Sequence, residues 1–171
     1  MSQPAPTITL DPTVEILGVV MQALSDMYGP DTDFPPEEFV TVVHLVAGEG
    51  PAVAQIDPRC ESPFLWVRLM RRFRTESFPD AAVSPTPCRL PRAVAIELGV
   101  GRCAVLEQEP SFDDFENEAV VSLEDSWRIE CALSTAARRL GEERAVAVDA
   151  VEPFGPEGGV IGWTAALYAA L

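Results

Sequence analysis

The chain has 171 residues and a net charge of −15, and all twelve of its basic residues are arginine. Nearly half of its residues are apolar, which predicts one folded domain with a substantial core and disfavours global disorder. The acidic balance disfavours ordinary binding to DNA or RNA, the apolar runs are too short to span a bilayer, and the first residues lack the features of a signal peptide, so we expect a cytosolic origin.

Residues 1–11 are predicted to form a flexible N-terminal arm, and residues 12–171 a single domain. Asp11 is a candidate N-cap for a first helix, and Pro12 suits the first helical position. Apolar residues then recur at helical spacing until Gly29, where a Gly-Pro pair ends the pattern. A partner-binding groove could use the methionines of this stripe, but packing against a core explains the spacing better.

Three β-branched or alternating segments follow and predict strands over 39–46, 64–73 and 92–105. Alternation in the third segment places every second residue from 94 to 100 on one face and Glu97 on the other. Its glycines at 99 and 101 indicate a bulge or a close approach of another group. His44, the only histidine, lies in the first segment, where we expect a structural role rather than a catalytic one.

Long connections are predicted over 48–63, 75–91 and 107–118. Loops of this length are commonly functional or disordered, and three in one domain suggest surfaces that neighbouring subunits order. The third connection is acidic and could hold a calcium or magnesium ion, but it lacks the spacing of a calcium-binding loop. We therefore expect solvated charges there. The residues are Asp113, Asp114, Glu116 and Glu118.

A second helix is predicted to begin at Ser122, with Asp125 as its capping-box partner, and to end at Gly141. Two apolar strands, AVAVDAV and VIGWTAALYAAL, then form a hairpin whose turn is EPFGPEGG. The chain ends inside the second of these strands, so we expect either the sheet or a neighbouring subunit to depend on it. The tip of the hairpin is a candidate contact with a partner ring. It comprises Phe154, Gly155, Pro156 and Glu157.

The predicted order of elements is therefore α-β-β-β-α-β-β. Strands that cluster around two helices favour an α+β fold in which a mixed, mostly antiparallel sheet packs on both helices. No internal repeat is visible in the sequence.

No catalytic apparatus is recognisable. The G-x-G-x-x-A segment at 99–104 matches a dinucleotide fingerprint, but acidic residues and Pro110 follow where the phosphate-binding helix would have to begin. A catalytic triad could use only His44, and no nucleophile elbow precedes a helix. The cysteines form no C-x-x-C pair, so we expect reduced, buried thiols, no metal site and no cofactor. They are Cys60, Cys88, Cys103 and Cys131.

The arginines of the second strand form the one basic patch, at Arg68, Arg71, Arg72 and Arg74. Strict alternation would place Arg68, Arg72 and Arg74 on one face. Such a patch can contact phosphate or nucleic acid, or pair with acidic loops of the same chain or of an adjacent subunit. The net charge favours pairing with acidic loops. We therefore predict a subunit interface between these arginines and the acidic residues at 113, 114, 116 and 118.

Four segments, in this order, resemble the lambda-type tail terminators and the head-to-tail connector proteins of actinobacteriophages. They are FLWVRLMRRF, AVAIELGVGRCA, the amphipathic helix SLEDSWRIECALSTAARRL and the closing PFGPEGGVIGW. The resemblance covers most of the chain, from residue 12 to residue 171. It rests on order and phrasing rather than on a catalytic motif, and the long proline-rich loops depart from the compact family pattern.

The resemblance implies a virion structural protein of the neck, assembled in the host cytoplasm. Such terminators form a hexameric ring that caps the tail tube, contacts the major tail tube protein and joins a head-to-tail stopper or adaptor. DNA passes through the lumen, where negative walls would repel phosphate. The resemblance implies no enzyme activity and no membrane partner. There are two alternatives. One is another ring protein of the head-to-tail connector, namely a stopper or adaptor, and the other is a small intracellular enzyme or ligand-binding domain.

Overall fold

A computed structural model describes residues 11–32, 39–40, 42–48, 62–105 and 110–171. Most of the predicted N-terminal arm, most of the 48–63 connection and residues 107–109 of the acidic connection lie outside these ranges. The elements are α1 (Pro12–Tyr28), β1 (Val43–Val46), β2 (Phe64–Arg74), β3 (Arg92–Cys103), α2 (Phe112–Gly141), β4 (Val146–Glu157) and β5 (Val160–Ala170). The predicted α+β class is confirmed, with two helices and one five-stranded mixed sheet.

Helix α1 begins and ends where the sequence predicts. The Asp11 carboxylate accepts a hydrogen bond from the backbone N–H of Thr13 at 3.0 Å, which satisfies a donor that the helix itself leaves unpaired. The helix ends at Tyr28, directly before Gly29. One face of α1 is buried in the core, so the prediction of core packing for its apolar stripe is confirmed.

The strands lie in the order β1-β2-β3-β5-β4. β1 pairs parallel with β2, and the other three pairs are antiparallel. β5 lies inside the sheet, with β3 on one side and β4 on the other, so the second strand of the closing hairpin belongs to this chain's own sheet. A segment that is apolar on both faces suits such an interior position.

Both helices pack on one face of the sheet. Val94, Ile96, Leu98 and Val100 of β3 point toward them and are fully buried, as the alternation predicts. The opposite face carries a smaller cluster of Phe64, Trp66 and Val160, with Val46 and Phe154 packed against it. We refer to it as the second face.

The Trp66 indole explains the glycine at 99 in the middle of β3. A Cβ on Gly99 would lie 2.7 Å from Cε2 and 2.8 Å from Cη2 of this ring, which is closer than non-bonded carbons approach. β3 pairs in unbroken register with β5 on both sides of this position. Of the two explanations for the glycines, close approach is therefore the one that applies at Gly99.

Three predicted boundaries are wrong. β1 covers only Val43–Val46, because residues 39, 40 and 42 are not in a strand. α2 begins at Phe112 rather than at Ser122. β4 continues to Glu157, so the turn of the hairpin is Gly158-Gly159 instead of the whole EPFGPEGG segment. The 75–91 connection is irregular as predicted, apart from a short 3-10 turn at Pro87–Arg89. None of the described helices is long and apolar enough to cross a membrane.

Candidate subunit interface

The start of α2 is fixed by a reciprocal capping box. The Ser111 hydroxyl accepts a hydrogen bond from the backbone N–H of Asp114 at 3.2 Å, and the Asp114 carboxylate accepts one from the backbone N–H of Ser111 at 2.8 Å. The Ser111 hydroxyl and its backbone N–H, both donating to this carboxylate, lower the pKa of Asp114 from its ordinary value. Asp113 and Asp114 also suit the positive end of the helix dipole. These contacts turn the predicted acidic loop into helix.

The first half of α2 contributes nothing to the buried core. None of residues 112–124, all of which the structure describes, is buried, whereas the helix buries seven side chains from Asp125 to Leu140. We call residues 112–124 the overhang. A helical segment of this length is marginal in isolation, so its capping box and the packed half of the helix must stabilise it.

Large apolar side chains on and beside the overhang are exposed on one side of α2. At 100° per residue they fall within an arc of about 140°. Phe112 is 87% exposed, Leu123 65% and Trp127 54%. We call this set the apolar stripe. It comprises Phe112, Phe115, Val120, Leu123 and Trp127.

The sequence does not predict the apolar stripe, because the composition of residues 107–118 is typical of an acidic loop. The signal was present in two parts. Ser111 and Asp114 have the spacing of a capping box. The exposed apolar residues from 112 to 127 recur every three to five residues, close to helical spacing. A helix with apolar residues on its outer side departs from the usual amphipathic pattern, which is what made the segment difficult to recognise.

The four predicted acidic interface residues divide into two pairs. Asp113 and Glu116 are exposed on the overhang. At 100° per residue, Glu116 lies within the arc of the apolar stripe and Asp113 lies at its edge. Asp114 belongs to the capping box, and the Glu118 carboxylate accepts a hydrogen bond from the backbone N–H of Val105. Asp113 and Glu116 are therefore the better placed of the four to contact another molecule.

A cleft of about 300 Å³ lies between the overhang and the adjoining ends of β3 and β5. Its wall includes Asn117, Glu118 and Ser122 from α2, and Arg102 and Trp163 from the sheet. Ser122, the predicted N-cap, instead accepts a hydrogen bond from the Trp163 indole N–H at 2.9 Å. The cleft thus mixes apolar walls with amide, hydroxyl and charged groups.

A buried polar network joins both helices to the sheet at the base of this cleft. The Asp125 carboxylate accepts hydrogen bonds from Nε and Nη2 of Arg102, the latter at 3.1 Å. It accepts another from the Tyr28 hydroxyl, also at 3.1 Å, and the Arg128 guanidinium lies 3.6 Å away. Burial, and then the negative charge of Asp125, raise the pKa of Tyr28 well above its ordinary value. The network fixes the angle of α2 to the sheet at Asp125, directly after the last residue of the overhang.

The arginines of β2 do not share one face. A bulge between Leu69 and Arg71 shifts the register, so that Arg68 lies opposite Glu97 on the second face while Arg72 lies opposite Val94 on the helix face. The prediction for Arg68, Arg72 and Arg74 is therefore wrong. An inserted residue reverses the alternation that the prediction assumed.

Three of these arginines bind groups of their own chain. Arg68 forms a two-pronged ion pair with Glu97, at 2.6 and 2.8 Å, and both side chains are largely buried. Arg72 binds Asp11 at the start of α1, and Arg74 donates to the backbone carbonyl of Leu90 at 2.7 Å. Their partners are not the predicted acidic residues at 113–118.

The remaining arginine of this set, Arg71, is exposed on the second face. Its guanidinium lies 5.0 Å from the centre of the Phe73 ring, a cation–π distance. Arg71 is thus the member of the predicted basic patch best placed to contact another molecule.

The hairpin tip is part of the sheet rather than a projecting loop. Phe154 lies opposite Gly162 in the β4–β5 ladder, and its ring packs edge-on against Trp66 with a centroid distance of 5.7 Å. Gly155 has a φ of +95° and, together with Pro156, occupies the register shift before the backbone of Glu157 pairs with Val160. Prolines are tolerated here because β4 is an edge strand.

The other residues singled out in the sequence have structural surroundings. His44 stacks on Phe64 with ring centroids 4.8 Å apart. Cys103 is disulfide-bonded, so the prediction of reduced thiols is wrong for it; Cys88 and Cys131 are free, but Cys88 is exposed rather than buried. Among the described residues, no group of three or more potential ligands is placed to hold a metal ion.

Comparisons with known proteins leave the fold and the exposed apolar stripe as the basis for a functional proposal. No protein-family model matches the chain, and no match was found among curated proteins.

Proposed function

We propose that this protein is a ring-forming structural component of a phage neck, and specifically a tail terminator that caps the tail tube and joins it to the head connector. The observation that carries the proposal is the apolar stripe on the overhang. It exposes aromatic and aliphatic side chains to water on a helix, outside the buried core of the subunit. Surfaces of this kind are typical of assembly contacts.

The architecture supports the same proposal at a coarser level. A helix, three strands, a long helix and a closing hairpin form one mixed sheet with both helices on one face. This is the order that the resemblance to lambda-type tail terminators implies. The resemblance also implies a hexameric ring, contacts with the major tail tube protein and with a stopper or adaptor, and a location in the virion neck.

Rigidity at the root of the overhang suits a ring subunit. The angle between neighbouring subunits must be reproduced accurately for a ring to close. The buried contacts of Asp125 with Tyr28, Arg102 and Arg128 tie α2 to both α1 and β3 at that point. The strong negative charge also suits a lumen through which DNA passes without adhering.

The test is electron microscopy and mass measurement of the purified protein, alone and with tail tubes. We expect a closed ring that binds one end of the tube, and a phage lacking the protein should make tails of abnormal length that fail to join heads. Tails of normal length joined to heads in that phage would overturn the proposal. A ring found in the virion map away from the major tail protein would favour another connector ring instead.

A second candidate function, binding of a small ligand, is favoured by the cleft beneath the overhang. A volume of about 300 Å³ is at the lower end for ligand sites. Asn117→Ala and Ser122→Ala would weaken such binding. If tail joining survives both substitutions, the cleft is not required for the proposed function.

A further inference from the structure

We infer that the overhang of one subunit docks on an arginine-lined end of a second copy of this chain, in a heterologous, head-to-tail contact. We call this second surface the arginine end. It comprises the exposed Arg71, Arg89 and Arg92, around the end of the β2–β3 ladder where Arg74 pairs with Arg92. The exposed Met70 and Val83 belong to the same end, where the backbone N–H of Ala82 donates to the carbonyl of Arg74. The inference rests on the proposed function, for which it names the two surfaces that meet in the ring.

The two surfaces carry opposite charge. Residues 112–124 contain five acidic residues and no basic one. Residues 70–92 contain five arginines and two acidic residues, and Arg71, Arg89 and Arg92 are exposed. In a chain of net charge −15, this is a local reversal of sign. Opposed potentials of this kind steer association and set the register of an interface.

The two surfaces lie at opposite ends of the same molecule. Arg74 is paired with Arg92 at one end of the β2–β3 ladder, and Phe64 with Gly101 at the other. The overhang adjoins the second end, because Glu118 binds the backbone of Val105 just beyond β3. A twelve-residue strand spans about 40 Å, so the overhang cannot reach the arginine end of its own chain.

Charge also argues against a symmetric pairing of two overhangs. Glu116 lies within the arc of the apolar stripe, Asp113 lies at its edge, and Glu124 is exposed nearby. A two-fold contact between two such helices would bring like charges together, which is unfavourable. A contact between unlike ends avoids this repulsion. It generates a ring if the rotation between subunits closes and a filament if it does not.

The apolar stripe is large enough to form the centre of such an interface. Its five side chains expose on the order of 500 Å² in total, taking roughly 150–250 Å² for each aromatic residue. The largest patch on a typical monomer is about 300–600 Å², and a stable interface buries about 800 Å² per partner. Met70 is 43% exposed and Val83 is fully exposed, which gives the stripe apolar groups to contact on the other copy.

The test is a reciprocal charge exchange in the full-length protein, measured by sedimentation equilibrium. Glu116→Arg and Arg71→Glu should each raise the dissociation constant of self-association at least about tenfold, and the double variant should recover most of the loss. Glu152→Arg, the same charge change on the edge strand β4, is the control and should leave self-association unchanged. Leu123→Asp should weaken it about a hundredfold, because it places a charge in the apolar centre.

Several outcomes would overturn the inference. One is a wild-type protein that stays monomeric at concentrations up to about 1 mM, the weakest range for a specific contact. Another is a double variant no better than its parents, and a third is stronger association of Glu116→Arg alone, which a symmetric pairing would give. By contrast, rings that form and respond to the charge exchange but do not bind tail tubes would contradict the proposed function and still support this inference.

Discussion

The two halves of α2 have the same helical backbone and opposite relations to the rest of the molecule. From Asp125 onward the helix buries Ile129, Leu133 and Leu140 against the sheet and α1. Before Asp125 it buries no side chain, and its apolar residues face outward. The comparison teaches that apolar residues on a helix do not by themselves identify a core. In the first half, they form an exposed surface.

The largest effect should come from breaking the boundary between the halves. Asp125→Ala removes the carboxylate that Arg102, Arg128 and Tyr28 share, and Arg128 is only 7% exposed. The buried Arg128 guanidinium then loses the negative charge of Asp125, which should lower the free energy of unfolding by about 3–5 kcal/mol. Urea denaturation would measure it. Glu130→Ala, an exposed carboxylate on the same helix, is the matched control, and an equal loss in both variants would contradict the assignment.

A direct comparison of the two halves uses the same chemical change in each. Ile129→Ala creates a cavity in the buried half and should reduce the free energy of unfolding by about 2–4 kcal/mol. Leu123→Ala, on the overhang, should change it by less than about 0.5 kcal/mol when measured on the monomer. If Leu123→Ala were as costly as Ile129→Ala under those conditions, the overhang would have to be part of the subunit's own core.

Loss of the cap should act on the first half alone. Ser111→Ala removes the hydroxyl that accepts a hydrogen bond from the Asp114 backbone N–H. It should therefore destabilise the first turn of the helix by about 1 kcal/mol. Amide hydrogen exchange should then speed up in residues 112–118 and stay constant from Ile129 onward. Ser126→Ala, a serine of the same helix whose hydroxyl binds the Leu123 carbonyl, serves as control. Uniform acceleration along α2 would show that the two halves unfold together.

Acid should loosen both helix starts before the core. Hydrogen bonds from Arg72 and then from the Thr13 backbone lower the pKa of Asp11, and those from Ser111 lower the pKa of Asp114, each from an ordinary value of 3.8. Because the folded-state pKa is depressed, the stabilisation is present above pH 3.8 and is lost as the pH falls through the lower folded value. Circular dichroism should show loss of helical signal in this range, smaller in Ser111→Ala. An acid transition unchanged by this substitution would count against the cap.

The sequence predicted the packed half of the molecule better than the exposed half for a physical reason. Burial imposes periodicity, and so the core face of β3 and the extent of α1 could be predicted from alternation and capping residues. The start of α2 is stabilised by Ser111 and Asp114, a local signal that was outweighed by the acidic composition around it. The bulge between Leu69 and Arg71 cannot be recognised from the sequence, because residues alternate between the two faces of the strand whether or not one residue is inserted.

The position of β5 between β3 and β4 has a consequence for how the chain reaches this structure. β2–β3 and β4–β5 are neighbours in sequence and can form by closing shorter segments, but β3 meets β5 only across the whole of α2 and β4. Among the described strand pairings, closing that segment costs the most chain entropy, so it should limit the folding rate. Ala165→Gly, in the strand that makes this pairing, should slow refolding, whereas Val151→Ala, on the edge strand beside it, should mainly speed unfolding. Stopped-flow refolding of the two variants would separate these rates, and equal slowing by both would place the limiting step elsewhere.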